Sequence, residues 1–478
     1  IRVDGTQYTF FSKVKHALKN KCFPKITVTI LPPVKLEADD SLDNRDRRAY
    51  LSRKLYDIMS EMMFESSDYK KPVFQSLIDA AKNYGFKYPI IMDLENSKVT
   101  YRNLLMKSFI VGDLIAKHTS KHEKTGLMLP NSCGAVITFF GMQSIDRIPT
   151  MINFSSGASN IISACQTAEV KTIFTSRKFI EKADLHELLD EIKKTTKVNF
   201  LEDLREKISL KTKIKGIIGS IFPDYVYNYV SGGQNKDDPG VILFTSGTEG
   251  VPKAVALSHQ NLQANRCQVA ARVDFGTTDT AFNALPMFHC FGLTAGTLLT
   301  VLSGVRTFFY PSPLHYRIIP EVIYDIGATI MFGTDTFLNG YAKYADPYDF
   351  YSIRYTFAGA EKLKPETRNL WFDKFGVRIF EGYGVTEAAP VVAVNTPMYD
   401  KPGTVGRLVP SIEYKIISVE GISDGGKLCI KGPNVMMGYI MHDNPGKIIP
   451  TSAEKLGEGW YDTGDIVTID DEGFVKIE

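Results

Sequence analysis

Residues 241–259 read VILFTSGTEGVPKAVALSH: a short apolar run, a turn rich in hydroxyls and glycine, then a proline, a lysine and a second apolar run. A strand ending in Thr245, Ser246, Gly247 and Thr248 delivers backbone N–H groups and hydroxyls into a tight turn, with glycine permitting the curvature. Lys253 adds a cation a few residues on. Loops of this make-up cradle phosphate. The spacing is not that of the nucleoside triphosphatase loop, G-x-x-x-x-G-K-[ST], because Gly250 is followed by Val251, Pro252 and Lys253. The dinucleotide pattern G-x-G-x-x-G is also absent from this turn. Taken alone, such a turn is equally a solvated surface loop.

Two more segments carry compatible chemistry. In FEGYGVTEAAP, residues 380–390, Tyr383 offers a flat face to a purine, while Thr386 and Glu387 place a hydroxyl and a carboxylate after a strand pattern, where α/β sheets present ligand contacts. In GWYDTGDIV, residues 459–467, Asp465 follows a glycine turn and is suited to accept from the two vicinal hydroxyls of a ribose. Each has a structural alternative: Glu387 as a helix cap and Asp465 as an ordinary turn acid.

These groups are scattered over more than 200 residues, so a folded scaffold must gather them. A chain of 478 residues exceeds one core and is expected to form two to four domains or subdomains. Its 44% hydrophobic and 23% charged residues are those of an ordinary globular protein, and a net charge of +2 argues against bulk nucleic-acid binding. Six cysteines without a CxxC pair suit free thiols better than disulfides or a zinc site. No apolar run is long enough to span a bilayer.

From about residue 72 the pattern alternates. GLMLP (126–130), IPTMIN (148–153), KTIFTS (171–176), VILF, RTFFY (306–310), ATIMF (328–332), IRYTFA (353–358) and VRIFE (377–381) read as buried strands. Helical stretches such as SCGAVITFFGMQSI and ASNIISACQTAE separate them. Parallel sheets covered by helices follow, an α/β fold. After residue 403 short alternating strands, among them GTVGRL, EYKIIS, GKLCIKG and GFVKIE, predict a β-rich subdomain. Ahead of the core, Phe10, Phe11, Val14, Leu18 and Cys22 at helical spacing among lysines predict a basic amphipathic helix, followed by an ITVTILPPV strand. That helix is either a solvated surface or a contact for anionic lipid or an acidic partner. LEADDSLDNRDRRAY (36–50) reads as a charged linker or docking segment, extending to residue 71.

FTSGTEGVPKAV, AGAEKL, EGYGVTE and YDTGD, in this order, resemble the adenylate-forming superfamily of acyl-CoA synthetases, peptide-synthetase adenylation domains and luciferases. The opening IRVDG…FPKITVTILPP, together with SPLHYRIIPEVIYD, ADPYDFY and FEGYGVTE, is similar to the fused bacterial 2-acylglycerophosphoethanolamine acyltransferase/acyl-[acyl carrier protein] synthetases. That resemblance implies the large N-terminal domain of adenylate-forming enzymes (72–402), a β-rich subdomain (403–478) and, at 1–35, the tail of an acyltransferase domain. It implies a ligase that converts a long-chain fatty acid and MgATP to acyl-AMP and passes the acyl group to acyl carrier protein. Lysophospholipid would be reacylated by the acyltransferase half, at the cytoplasmic face of the bacterial inner membrane with peripheral membrane contact.

Residue by residue, the resemblance assigns Thr245, Ser246, Gly247, Thr248 and Lys253 to the β- and γ-phosphates. Gly359, Ala360 and Glu361 with Tyr383 and Gly384 would form the adenine slot, Thr386 would touch the α-phosphate, Glu387 would ligate Mg²⁺ and Asp465 would hold the ribose. His289, in PMFHCFG, would gate the acyl and pantetheine paths; a buried, satisfied histidine is its alternative. Apolar side chains of FHCFGLTAGTLL and TIMFGTDTF would line the acyl tunnel.

Glu249 and Ala254 depart from the residues usual in this loop. The family's C-terminal lid with its adenylation lysine and the acyltransferase His-x₄-Asp dyad are not found in these residues, so the chain is expected to bind ATP and fatty acid with little turnover. Alternatives are a long-chain acyl-CoA synthetase, a luciferase-like oxidase, or a non-catalytic nucleotide-binding or membrane-docking module.

Overall fold

The computed structural model describes residues 1–6, 9, 24–39, 41–95, 98–245, 252–453 and 456–478. The expected basic helix near residues 10–22 and the loop residues Ser246, Gly247, Thr248 and Glu249 lie outside the described residues. Within ITVTILPPV only Thr27–Thr29 is a strand, paired antiparallel with Arg2–Asp4.

Two large sheets organise the molecule, one of eight strands and one of nine, with a four-stranded sheet beside them. In the first, Lys124–Leu127 lies between Ile148–Met151 and Thr172–Thr175, all parallel, with Lys197–Phe200 beyond. The second has a parallel centre in which Thr280–Asn283, Ile330–Gly333, Tyr355–Ala358 and Ile379–Gly384 are successive neighbours. Every core strand expected from an apolar run is present, and fully buried strands such as Ile330–Gly333 explain why those runs do not alternate. Both sheets are mixed rather than purely parallel. Pro239–Thr245 and Lys253–Ser258 form an antiparallel hairpin, and Val391–Val394 returns antiparallel on Ile379–Gly384.

One core cluster draws Ile91 and Phe309 from the nine-stranded sheet and Leu127, Val241 and Val255 from the eight-stranded sheet. It also takes Val136, Phe139 and Phe140 from the helix Cys133–Ser144. That helix is buried on every side, as its apolar composition requires.

The charged 36–71 segment is largely helix. Asn44–Glu65 is capped by Asp43, whose carboxylate accepts from the amides of Arg45 and Asp46. Its charges dock it onto the body: Asp57 joins Arg272 at 2.7 Å and Arg407 at 2.6 Å, and Glu61 accepts from the Ser411 amide at 3.0 Å. The boundary at 403 also needs correction. Gly438–Met441 leaves the β-rich subdomain and extends the eight-stranded sheet by pairing with Lys253–Ser258, whose outer edge would otherwise present unpaired backbone groups, and Asn444–Ile449 pairs in turn on Gly438–Met441.

The helix His259–Ala270 is unusual in burying Asn261, Gln263, Asn265 and Gln268. Each is spent on a tie: Asn261 Nδ2 donates to the carbonyls of Pro433 and Val435, Gln263 donates to the Ser76 hydroxyl, Asn265 exchanges two hydrogen bonds with the backbone of Val391, and Gln268 donates to the Pro410 carbonyl. Buried amides satisfied in this way hold distant loops in register.

His259, at the head of that helix, accepts the Val73 amide on Nδ1 at 3.3 Å and is buried so completely that its imidazole is lowered to about 4. The unfolded chain protonates near pH 6.5. Between these values the unfolded state binds a proton that the native state refuses, so native stability is present above pH 6.5 and is lost as pH falls towards 4. At about 1.4 kcal/mol per pH unit the loss reaches about 3 kcal/mol. Urea unfolding of wild type and His259→Asn from pH 7 to 4.5 is expected to show a gap that shrinks on acidification. A constant gap would rule the histidine out as the source.

Candidate active site

The hairpin at 239–258 pairs Thr245 with Lys253, so the two described ends of the hydroxyl-rich loop stand side by side at one end of the sheet. Antiparallel pairing, rather than a strand-to-helix turn, therefore carries the lysine back to the threonine. Lys253 Nζ lies 5.7 Å from the centre of the Tyr439 ring, on the neighbouring strand.

The second contribution comes from the hairpin made by Ile379–Gly384 and Val391–Val394. Its connection holds the short 3₁₀ turn Thr386–Ala388 and closes through the Val385 amide on the Pro390 carbonyl. A side chain at Gly384 would meet that carbonyl at 2.3 Å, so the YG pair of the motif has a steric origin. The turn is tied from outside. Met436 N donates to the Glu387 carbonyl at 2.8 Å, and Asn434 Nδ2 donates to the Ala388 carbonyl at 2.7 Å. Glu387 is buried, and its carboxylate accepts the Tyr439 hydroxyl at 2.6 Å. Tyr439 in turn lies 3.3 Å from the Tyr461 hydroxyl. Burial first, then the Glu387 carboxylate, raises both phenols, so they stay neutral donors at physiological pH.

Asp465 sits on the long strand Tyr461–Ile469. Gly464 adopts φ 78° where the pairing with Gly426–Lys431 slips, and the bulge re-aims the following aspartate. Its carboxylate accepts the Tyr383 hydroxyl, and its amide is held by Thr463 Oγ1 at 3.2 Å. Burial, then Asp465, raises the Tyr383 phenol. The TGD segment thus acts as a device that turns one carboxylate inward.

A cavity of about 460 Å³ is lined by Thr245, Lys253, His289, Gly359, Ala360, Tyr383, Gly384, Thr386, Glu387 and Asp465. All of these were expected at the site. Lys253, Glu387 and Asp465, far apart in sequence, share one cleft. The opposite wall is apolar: Phe291 and Ala295 come from the first tunnel segment, Phe332 from the second, joined by Phe275 and Phe357. A π-helical stretch, Thr294–Leu299, forms part of that wall.

His289 caps the short helix Cys290–Leu293, its Nδ1 accepting the Phe291 amide at 3.4 Å. The residue reaches solvent at the cavity wall rather than being packed in the core, and partial desolvation of its imidazole there lowers its pKa.

Glu361 is the exception. It does not line the cavity; its carboxylate accepts from the Thr336 amide at 3.0 Å and hydroxyl at 2.8 Å, in the first turn of the helix Asp335–Tyr344. The positive end of that helix holds an anion better than an adenine edge would. Sequence reading missed Tyr439 entirely, since GYIM belongs to no recognisable pattern, whereas Tyr461 stood beside Asp465 in the quoted YDTGD. It also missed Asn434, whose role is visible only through its contacts.

Among the described residues no group of three or more His, Cys, Asp or Glu side chains gathers as a metal site. A divalent ion here would need oxygens from a phosphate ligand alongside Glu387, which is how Mg²⁺ usually binds nucleotides. The buried carboxylate with a neutral phenol donor beside it fits that use.

Comparison with known proteins shows what the chain is similar to. The chain is 27% identical over 441 residues to the long-chain-fatty-acid--CoA ligase of Salmonella typhimurium, covering 84% of this chain and 76% of the relative. It shares its fold with a long-chain-fatty-acid-CoA ligase from Archaeoglobus fulgidus, at TM-score 0.71 and 23% identity over 86% of this chain and 84% of the other. It likewise shares its fold with ATP-bound MatB from Rhodopseudomonas palustris, at TM-score 0.70 and 22% identity over 85% and 78% of the two chains. The family model for AMP-binding enzymes matches residues 77–440. With that span covering most of the chain and containing the loop, the Glu387 turn and Tyr439, the protein belongs to the AMP-binding enzyme family.

Proposed function

We propose that this chain activates a long-chain fatty acid with ATP and forms a thioester from the resulting acyl-adenylate. The observation that carries this is the single cleft in which Lys253, Glu387 and Asp465 face an apolar wall. In the first step a carboxylate oxygen attacks the α-phosphorus and the bond to pyrophosphate breaks. A thiolate then attacks the acyl carbon and AMP leaves. Both attackers are anions approaching a polyanion, so neutralising charge is the main requirement, at about 4 kcal/mol per close pair for an effective dielectric near 20. Lys253 supplies it, Glu387 would hold a Mg²⁺ that would add to it, Asp465 takes the ribose, and Tyr383 with Gly359, Ala360 and Gly384 packs the adenine. Thr245 and Thr386 line the phosphate path, while Ser246, Gly247 and Thr248 are assigned to the phosphates by their motif alone. The apolar wall selects chain length through about 0.8 kcal/mol per buried CH₂.

For the acceptor we favour coenzyme A, the thiol named for the relatives. Acyl carrier protein is the second reading, favoured by the SPLHYRIIPEVIYD and ADPYDFY segments, and with it reacylation of lysophospholipid at the membrane. Isothermal titration of ATP with Mg²⁺, read beside fatty-acid-dependent exchange of pyrophosphate into ATP, tests the first step. Absence of nucleotide binding would remove the proposal. Offering CoA and acyl carrier protein in parallel, and weighing the thioesters, decides the acceptor.

A further inference from the structure

The helix Leu210–Ile221, LKTKIKGIIGSI, is inside out. Its inward face consists of Thr212, Gly216, Gly219 and Ser220. A side chain at Gly216 would meet Ile110 at 2.4 Å, and one at Gly219 would meet the Phe109 ring at 2.5 Å, so the helix lies close on Tyr101–Ile115 through its smallest residues. The opposite face is Leu210, Ile214, Ile217, Ile218 and Ile221, with exposures from 45% to 74%. An ordinary surface helix buries its isoleucines and turns its polar residues to water; this one does the reverse.

The orientation is enforced. Thr212 Oγ1 and Lys215 Nζ both donate to Asp113, at 3.1 and 2.6 Å. The following helix Pro223–Ser231 is anchored by Asp224 to Lys82 at 2.6 Å and to Gln75 at 3.1 Å, and it presents Tyr225 and Tyr229 to solvent next to the exposed Phe222. None of these residues lines the catalytic cleft.

What covers this face is indicated by charge. Residues 207–223 hold four lysines and no acid, with Lys211 and Lys213 exposed on either flank of the apolar stripe. A second copy of the same face would set lysines against lysines. A bilayer with anionic headgroups suits every feature: branched aliphatics for the acyl boundary, tyrosines for the interfacial layer, and lysines reaching the phosphates. Among the described residues no helix is long and apolar enough to cross a membrane, so the contact lies in the membrane plane. We infer that the helices at 210–231 form an interfacial docking surface for an anionic lipid bilayer. The inference stands independently of the catalytic reading.

Flotation of the chain with phosphatidylcholine vesicles, with and without phosphatidylglycerol, tests it. Wild type is expected to float with the anionic vesicles. Ile214→Glu combined with Ile217→Glu is expected to abolish flotation. Lys211→Gln combined with Lys213→Gln, which leaves the apolar face intact, is expected to weaken it about 30-fold on anionic vesicles only. All four positions are exposed, so circular dichroism and melting are expected to be unchanged. Failure of the wild type to float, or equal flotation of all variants, overturns the inference. So does sedimentation of the wild type as a dimer that the isoleucine variant abolishes, since the face would then belong to a second copy.

Discussion

Glu387→Gln is expected to lower fatty-acid-dependent pyrophosphate exchange by about 100- to 1,000-fold, the range seen when one preorganised electrostatic contact to a transition state is removed. The substitution keeps the shape of the side chain. The 3₁₀ turn is held through backbone atoms, by Met436 on the Glu387 carbonyl and Asn434 on the Ala388 carbonyl, so the fold survives. What disappears is the buried negative charge proposed to position a divalent ion against the phosphates. The signature is a raised Mg²⁺ requirement that excess metal partly rescues. Tyr439→Phe removes the 2.6 Å hydrogen bond to that carboxylate together with the 3.3 Å contact to the Tyr461 hydroxyl, and should show the same dependence at about one-tenth the severity. Loss of exchange in Glu387→Gln with an unaltered metal requirement would deny Glu387 the metal role.

Asp465→Ala is expected to raise the KM for ATP by about 10- to 100-fold, following from about 1.5–3 kcal/mol for hydrogen bonds to a charged group. The fold should tolerate the change, because the bulge is set by Gly464 and by Thr463 Oγ1 on the Asp465 amide. Deoxy nucleotides separate a ribose contact from a merely structural one. In wild type, 2′- or 3′-deoxy-ATP should bind worse than ATP, while in the variant all three should bind alike. If the variant still distinguishes them, Asp465 does not hold the ribose.

The core strands and the residue types of the site were legible because both are local properties. A run such as ATIMF has one reasonable destination, a strand covered on both faces, and a glycine beside Asp465 or Tyr383 answers to the turn it must make. The antiparallel pairing of the 239–258 hairpin was not legible, since alternation of apolar runs does not say which way a neighbouring strand runs. The polar helix 259–270 gave no signal of burial, because its buried amides are matched to groups more than 100 residues away. Charge in the 36–71 segment left linker and docking segment both open for the same reason: the partners of Asp57, Arg272 and Arg407, are remote.

Sequence alone thus supplied the residues of the candidate site: a hydroxyl- and glycine-rich loop with its lysine, an aromatic–carboxylate turn and an aspartate after a glycine, the last two shaped by short-range backbone geometry. Tertiary structure alone decided that Gly438–Met441 would close the eight-stranded sheet and bring Tyr439 between Lys253 and Glu387, that Glu361 would serve a helix instead of the cleft, and that Leu210–Ile221 would turn its isoleucines outward. Those outcomes depend on which distant surfaces have space or unpaired hydrogen-bonding groups to offer, and neither periodicity nor composition encodes that.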